Sequence, residues 1–209
     1  MDSDLTTLDS AAGALGVSAA DPKLPRLIGS ASEAIRRYIG RPQLHYSATI
    51  VEKLAGYAGQ VRLYLGAVPL ISVASIVLPD GTALAPADFT VEDLVTGALY
   101  RREGWPFTGV DEGGVLYAEE KAIVVTYAGG WVTPAQAGTR TLPYDLEHAC
   151  ILAVVSAYRS EPRDASIASE ALGDYSVSYR PNSIIGVGVG GGLLPDAVLP
   201  LLATYRRLQ

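Results

Sequence analysis

Cysteine is almost missing from this chain. Cys150 stands alone in 209 residues, so no disulfide framework can form within it. Histidine is nearly as scarce. His45 and His148 lie far apart, and zinc needs three or four ligands, so one thiol and two unlinked imidazoles are a poor supply. No stretch approaches the ~18 apolar residues of a membrane span. The start, MDSDLTTLDS, is acidic and lacks the basic n-region of a signal peptide, so the expectation is a chain made, and at first used, in a cytoplasm. Asn182 is the sole asparagine and Arg outnumbers Lys, a bias that fits a GC-rich genome and says nothing of mechanism.

Catalytic signatures are missing as well. There is no GxSxG elbow, P-loop or HExxH helix. Glu92-Asp93, Asp111-Glu112 and Glu119-Glu120 are adjacent pairs, and neighbours in a strand point to opposite faces. Such pairs read as solvated loops, not acid–base dyads. Residues 186–191, GVGVGG, match GxGxxG in letters only. Dinucleotide binding needs a strand before the motif, a helix after it, and an acid about 20 residues on. Here the chain ends 18 residues later, after Arg206 and Arg207. No cofactor, metal or catalytic residue is expected, and the chain is not read as an enzyme.

The composition is that of a folded protein: 49% apolar, 18% charged, with 22 Gly and 13 Pro for turns and extended arms. Its net charge of −6 argues against a role in coating DNA. Arg36-Arg37, Arg101-Arg102 and Arg206-Arg207 are too short and scattered for a nucleic-acid stripe and read as helix-end or loop charges.

The most apolar segment is Leu142 to Ser160. Leu146, Ala149, Cys150, Ala153, Val154, Ala157 and Tyr158 recur at helical spacing, and Ile151, Leu152 and Val155 widen the face. Pro143 fits the start of a helix and Glu161-Pro162 its end. This predicts a central helix with the others around it, and Cys150 as a buried small hydrophobe. Asp4 precedes a short amphipathic helix that Gly16 ends. Asp21-Pro22 opens a second, with the stripe Leu24, Leu27, Ile28, Ala31, Ala34, Ile35, Tyr38 and Ile39, stopped by Gly40.

From Leu44 to Tyr127 the period becomes strand-like. TIVEKLA, QVRLYLG, PLISVASIVLP, DFTVED, GALYRR and KAIVVTYAGGW are rich in β-branched and aromatic residues, and Asp80-Gly81 reads as a tight turn. Trp105 and Trp131 are expected to close the apolar end of this block. After the central helix, 165–172 suggests a short helix, Gly173–Tyr179 a strand, and 183–194 a glycine-rich arm. Val198, Leu199, Leu202 and Tyr205 suggest a last helix, with Pro200 in its first turn.

The fold class is therefore α+β: a small bundle of about four helices with an inserted antiparallel β domain and an extended C-terminal arm. Residues 1–43 and 142–209 make the helical core, and 44–141 the insert.

LIGSASEAIRRYIGR (27–41), VTYAGGW (125–131), LPYDLEHA (142–149), SEALGDYSVSY (169–179) and LLATYRR (201–207) together resemble the head–tail connector proteins of tailed phages, also called adaptor or head-completion proteins. The likeness lies in the order of the set and spans nearly the whole chain. The Gly-rich arm and Pro200 depart from it. The resemblance implies a structural subunit of the phage neck: a ring, typically of twelve copies, below the portal protein. Such a ring extends the DNA channel without sequence-specific contact and joins the head to a further neck or tail-completion protein. It implies residence in the virion neck after assembly in the host cytoplasm, with no membrane. By position, it carries portal binding to Leu199, Leu202, Tyr205, Arg206 and Arg207, and a neighbour-subunit contact to Tyr175, Val177 and Tyr179. An acidic channel wall, which net −6 permits, would let DNA slide. The alternative reading is a binding module whose β domain recognises a carbohydrate or host surface through its tryptophans.

Overall fold

Leu8–Leu15 (α1) starts where Thr7 turns the chain: the Ser10 N–H donates to Thr7 Oγ1 at 3.1 Å. The cap is thus Thr7, not Asp4, because the helix begins three residues later than the apolar spacing suggests. Gly16 closes it at φ +71°. Such elements come from a computed structural model, which describes residues 3–110, 116–119, 121–160, 169–172, 175–178 and 194–206.

The chain divides into two compact units, residues 1–42 with 132–209, and residues 43–131. The first is helical. Leu24–Ile39 (α2) also starts later than expected. Asp21 sits three residues ahead and accepts the Lys23 N–H at 2.9 Å, while Pro25 occupies the first turn. Gly40 stops α2 at φ +70°. Tyr144–Ser160 (α3) packs against α1 and α2, and also against the C-terminal segment, a 3-10 turn at Asp196–Val198 running into Leu199–Ala203 (α4). The central position read from the sequence holds. Leu146, Ala149, Cys150, Ala153 and Val154 are buried, while Ile151, Leu152 and Val155 are half-exposed. The apolar face of α3 is therefore narrower than its composition suggests.

The described residues of the β unit form eight strands: Ser47–Leu54 (β1), Arg62–Tyr64 (β2), Leu70–Val77 (β3), Thr90–Asp93 (β4), Ala98–Tyr100 (β5), Gly109–Val110 (β6), Leu116–Ala118 (β7) and Ile123–Gly129 (β8). All six strand-like segments form strands. They pair antiparallel in two three-stranded sheets, ordered β1-β8-β3 and β2-β5-β4, with β6-β7 a separate pair. One residue in two points inward. Ile76, Ile123, Val125 and Tyr127 of the first sheet share one apolar cluster with Leu63 and Leu99 of the second and with Trp105. After β3 the Gly81 N–H returns to Leu78 O at 2.9 Å with Gly81 at φ +84°, so Pro79-Asp80-Gly81 is the expected turn.

One expectation fails in the C-terminal third. Ser169–Leu172 is a strand (β9), not part of a helix, and pairs antiparallel with Tyr175–Ser178 (β10). Ser-Glu-Ala-Leu has helix formers, but pairing with β10 overrides that weak preference. The glycine-rich residues 183–193 and the GxGxxG letters lie outside the described residues.

Candidate functional site

Cys150, His148 and His45 are spread over the chain. Cys150 is buried on α3 with Sγ 3.6 Å from Ser32 Oγ, and burial pushes its thiol up to about 12. His148 is exposed on α3. His45 bridges to Trp131 through a single backbone ladder step. Among the described residues no three His, Cys, Asp or Glu gather as metal ligands, and no helix is long and apolar enough to cross a membrane. Trp105 is buried, its indole N–H donating to Val61 O at 3.2 Å, so it offers no platform to a sugar; Trp131 is half-buried.

The C-terminal segment is built onto its own helical unit. Val198 and Leu202 are fully buried, and α4 packs on both α2 and α3. The Tyr205 hydroxyl lies 2.8 Å from each carboxylate oxygen of Asp145 on α3. Burial, and then this hydrogen bond, push the phenol up to about 12. Arg41 Nε donates to Tyr205 O at 3.2 Å, and the Arg206 guanidinium sits 5.6 Å from the Tyr38 ring centre. Of the residues singled out for portal contact, Leu202 has no surface free while α4 stays docked. Leu199 and Tyr205 are half-exposed, Arg206 is exposed, and Arg207 lies outside the described residues. Tyr175 and Val177 fall in β10; Tyr179 lies outside the described residues.

A polar lock at the N-terminus escaped the sequence reading. Arg36, in the last turn of α2, is buried. Its Nη1 donates to Ser3 O at 2.7 Å, and its Nε and Nη2 reach Glu33 Oε2 at 3.2 and 2.9 Å. The Leu5 N–H donates to Ser32 Oγ at 3.0 Å, and Thr6 Oγ1 donates to Glu147 Oε1 at 3.2 Å. Arg140 pairs with the other oxygen of Glu147 and stacks 3.9 Å over the ring centre of Tyr144, which is 79% exposed. The Glu33-x-x-Arg36 spacing is the one sequence signal that pointed to part of this lock.

In the β unit, Glu52 faces inward on β1 and ties three segments together. Its Oε2 accepts the Tyr127 hydroxyl at 2.6 Å and the Gly66 N–H at 2.9 Å, while the Ala67 N–H donates to the same hydroxyl at 3.0 Å. A cleft of about 730 Å³ opens beside Lys53, Pro79, Phe107 and Lys121, the last at φ +60°. Val51 on β1 and Val95 after β4 are exposed by 62% and 71%.

By sequence, no family model and no curated protein matches the chain. Solved structures do match in fold. A chain in the neck of a native gene transfer agent (GTA) particle, computed with C12 symmetry, superposes with a TM-score of 0.55 at 15% identity. The match covers 100% of this chain and 96% of that one. A chain in the neck of an empty GTA particle, computed with C6 symmetry, gives 0.52 at 13% identity, over 98% of this chain and 91% of that one. A chain in the virion of the native particle gives 0.53 at 15%, with the same coverage. At these identities the likeness is one of fold, and it extends from end to end. The α+β architecture expected of a head–tail connector is the architecture of these particle chains.

Proposed function

We propose that this chain is a non-enzymatic structural subunit of the neck of a tailed-phage or phage-like particle. Copies form a ring below the portal, extend the DNA channel and join head to tail. The observation that carries this reading is the end-to-end likeness of fold to a neck chain in a C12-symmetric reconstruction, 100% of one chain on 96% of the other.

A twelve-fold ring needs a head-to-tail interface that closes. In this reading the ring lies in the virion neck after assembly in the host cytoplasm. DNA passes through without sequence-specific contact, which a net charge of −6 supports. One ring face meets the portal and the other a further neck or tail-completion protein. Portal contact falls to the outward side of the C-terminal segment, Leu199, Tyr205 and Arg206, followed by Arg207. Leu202, buried in its own unit, anchors that surface. Tyr175, Val177 and Tyr179 belong to a contact with the neighbouring copy.

The test is imaging of the full chain mixed with the portal protein of the same particle. A ring stacked coaxially on the portal is the expected result. Leu199→Asp with Arg206→Glu should weaken portal binding at least tenfold while leaving the melting temperature within about 2 °C, since both positions reach solvent. Unchanged binding would remove the portal assignment from this segment.

A further inference from the structure

Two unfinished elements of this chain are complementary. The first is the β9–β10 pair. A two-stranded hairpin in water is marginal by itself. Among the described residues of its unit, no helix packs on it, and β9 and β10 pair with each other. Its strands are four residues each, and Tyr175 and Val177 alternate with Ser176 and Ser178 on β10, a pattern for a half-covered surface.

The second is the outer edge of β1. It pairs with β8 on one side and ends the sheet on the other. The opposite edge of that sheet is already occupied: Leu84 N–H reaches Ile76 O at 2.9 Å and Ala83 bridges to Val77, so the return after the turn covers β3. On β1 a register shift between Ser47 and Ile50 leaves Ile50–Leu54 as the regular edge, about the length of β10. Natural sheets blunt such edges or use them. Here Val51 is 62% exposed, and Lys53 is the charge beside it on the outward face, Glu52 being turned in toward Tyr127. The hairpin carries the opposite sign in Glu170 of β9.

We infer that β10 of one copy adds to the β1 edge of the next copy, continuing the β1-β8-β3 sheet by one strand pair across the subunit boundary. This rests on the ring reading above and deepens it by naming both sides of the contact. The occupant is a second copy of this chain. Hairpin and edge are different patches of one molecule, which is the condition for a heterologous interface that closes into a ring. Backbone hydrogen bonds supply the join, and alternate side chains supply its register.

Cross-linking at cysteines introduced into the full chain tests it. Val177→Cys is combined in turn with Val51→Cys, Lys53→Cys and Glu52→Cys, the oligomer is formed alone or on purified portal rings, and copper–phenanthroline is the oxidant. Val51 and Lys53 are exposed, so their replacement leaves the fold intact, and buried Cys150 stays silent. The expected result is a ladder of covalent multimers from 51 or 53 with 177, and none from 52, because strand pairing has a period of two. Mixing V51C copies with V177C copies should give covalent dimers. An oligomer by light scattering without these links overturns the strand pairing and leaves the ring reading standing. A link that forms only within single chains overturns it too. No oligomer, alone or on the portal, overturns the ring reading and the pairing with it.

Discussion

The Tyr205 hydroxyl lies 2.8 Å from both carboxylate oxygens of Asp145, so the last described turn of the chain is fastened to the first turn of the central helix. Sixty residues of sequence separate them. Removing the hydroxyl with Tyr205→Phe keeps the ring and discards the bond. A half-exposed hydrogen bond to a carboxylate contributes about 1 kcal/mol. In a chain of this size that lowers the melting temperature by about 2–4 °C, read by calorimetry.

The same pair has a pH signature. The phenol is held protonated in the fold, pushed up to about 12 from an ordinary 10. Its contribution is therefore complete below about pH 10 and is lost as the pH rises through the folded value. The stability difference between wild type and Tyr205→Phe should be present at pH 8 and disappear toward pH 12. A constant difference across that range would separate Tyr205 from Asp145 in solution.

Arg36 and Arg37 are neighbours in sequence with opposite fates. Arg36 is buried and holds Ser3 O and Glu33; Arg37 is exposed with Glu33 at 3.9 Å. Arg36→Ala removes a buried side chain and its bonds to half-buried Ser3 and exposed Glu33, which water can re-satisfy, and should cost about 1–1.5 kcal/mol. Arg37→Ala should cost less than about 0.5 kcal/mol. Urea unfolding of the two variants reads both numbers. Faster proteolysis of the first five residues in Arg36→Ala alone would further mark Arg36 as the clasp of the N-terminal segment.

Glycine positions separate as sharply. A Cβ on Gly130, at φ +93°, would lie 2.4 Å from His45 O, so Gly130→Ala should destabilise the β unit or prevent its folding. A Cβ on Gly29, inside α2, meets nothing within 4 Å, and Gly29→Ala should stabilise by about 0.5–1 kcal/mol. Thermal melts of the two purified variants decide this.

Cys150 gives a probe that costs no mutation. Its thiol, buried and pushed up to about 12, should ignore a thiol reagent at pH 8 until the helical unit opens, so its labelling rate reports that opening. Fast labelling of the native chain would contradict the packing of α3 against Ser32.

Much of this fold is legible because burial leaves periodic marks. The stripe Leu24 to Ile39 is α2, and the six β-rich segments are all strands. What escapes lacks such marks. β6 and β7 are two and three residues long in a segment of glycines and acids, where alternation has no room to appear. β9 reads as helix because Ser-Glu-Ala-Leu is decided by its partner, not by itself. Arg36 reads as a helix-end charge, which it is, but nothing in its spacing shows that it is buried and reaches Ser3 O. The portal role given to Leu202 comes from the resemblance; its spacing marks an apolar face, and that residue is buried within its own unit. The assembly surfaces are the least legible part, since a residue that waits for a partner obeys no periodicity within its own chain.

The central claim is that this chain builds a ring on a portal. The most direct test is electron microscopy of the full chain mixed with the portal protein of its own particle. The account predicts a closed ring coaxial with the portal. Portal rings that remain bare at saturating concentrations of folded protein would contradict it.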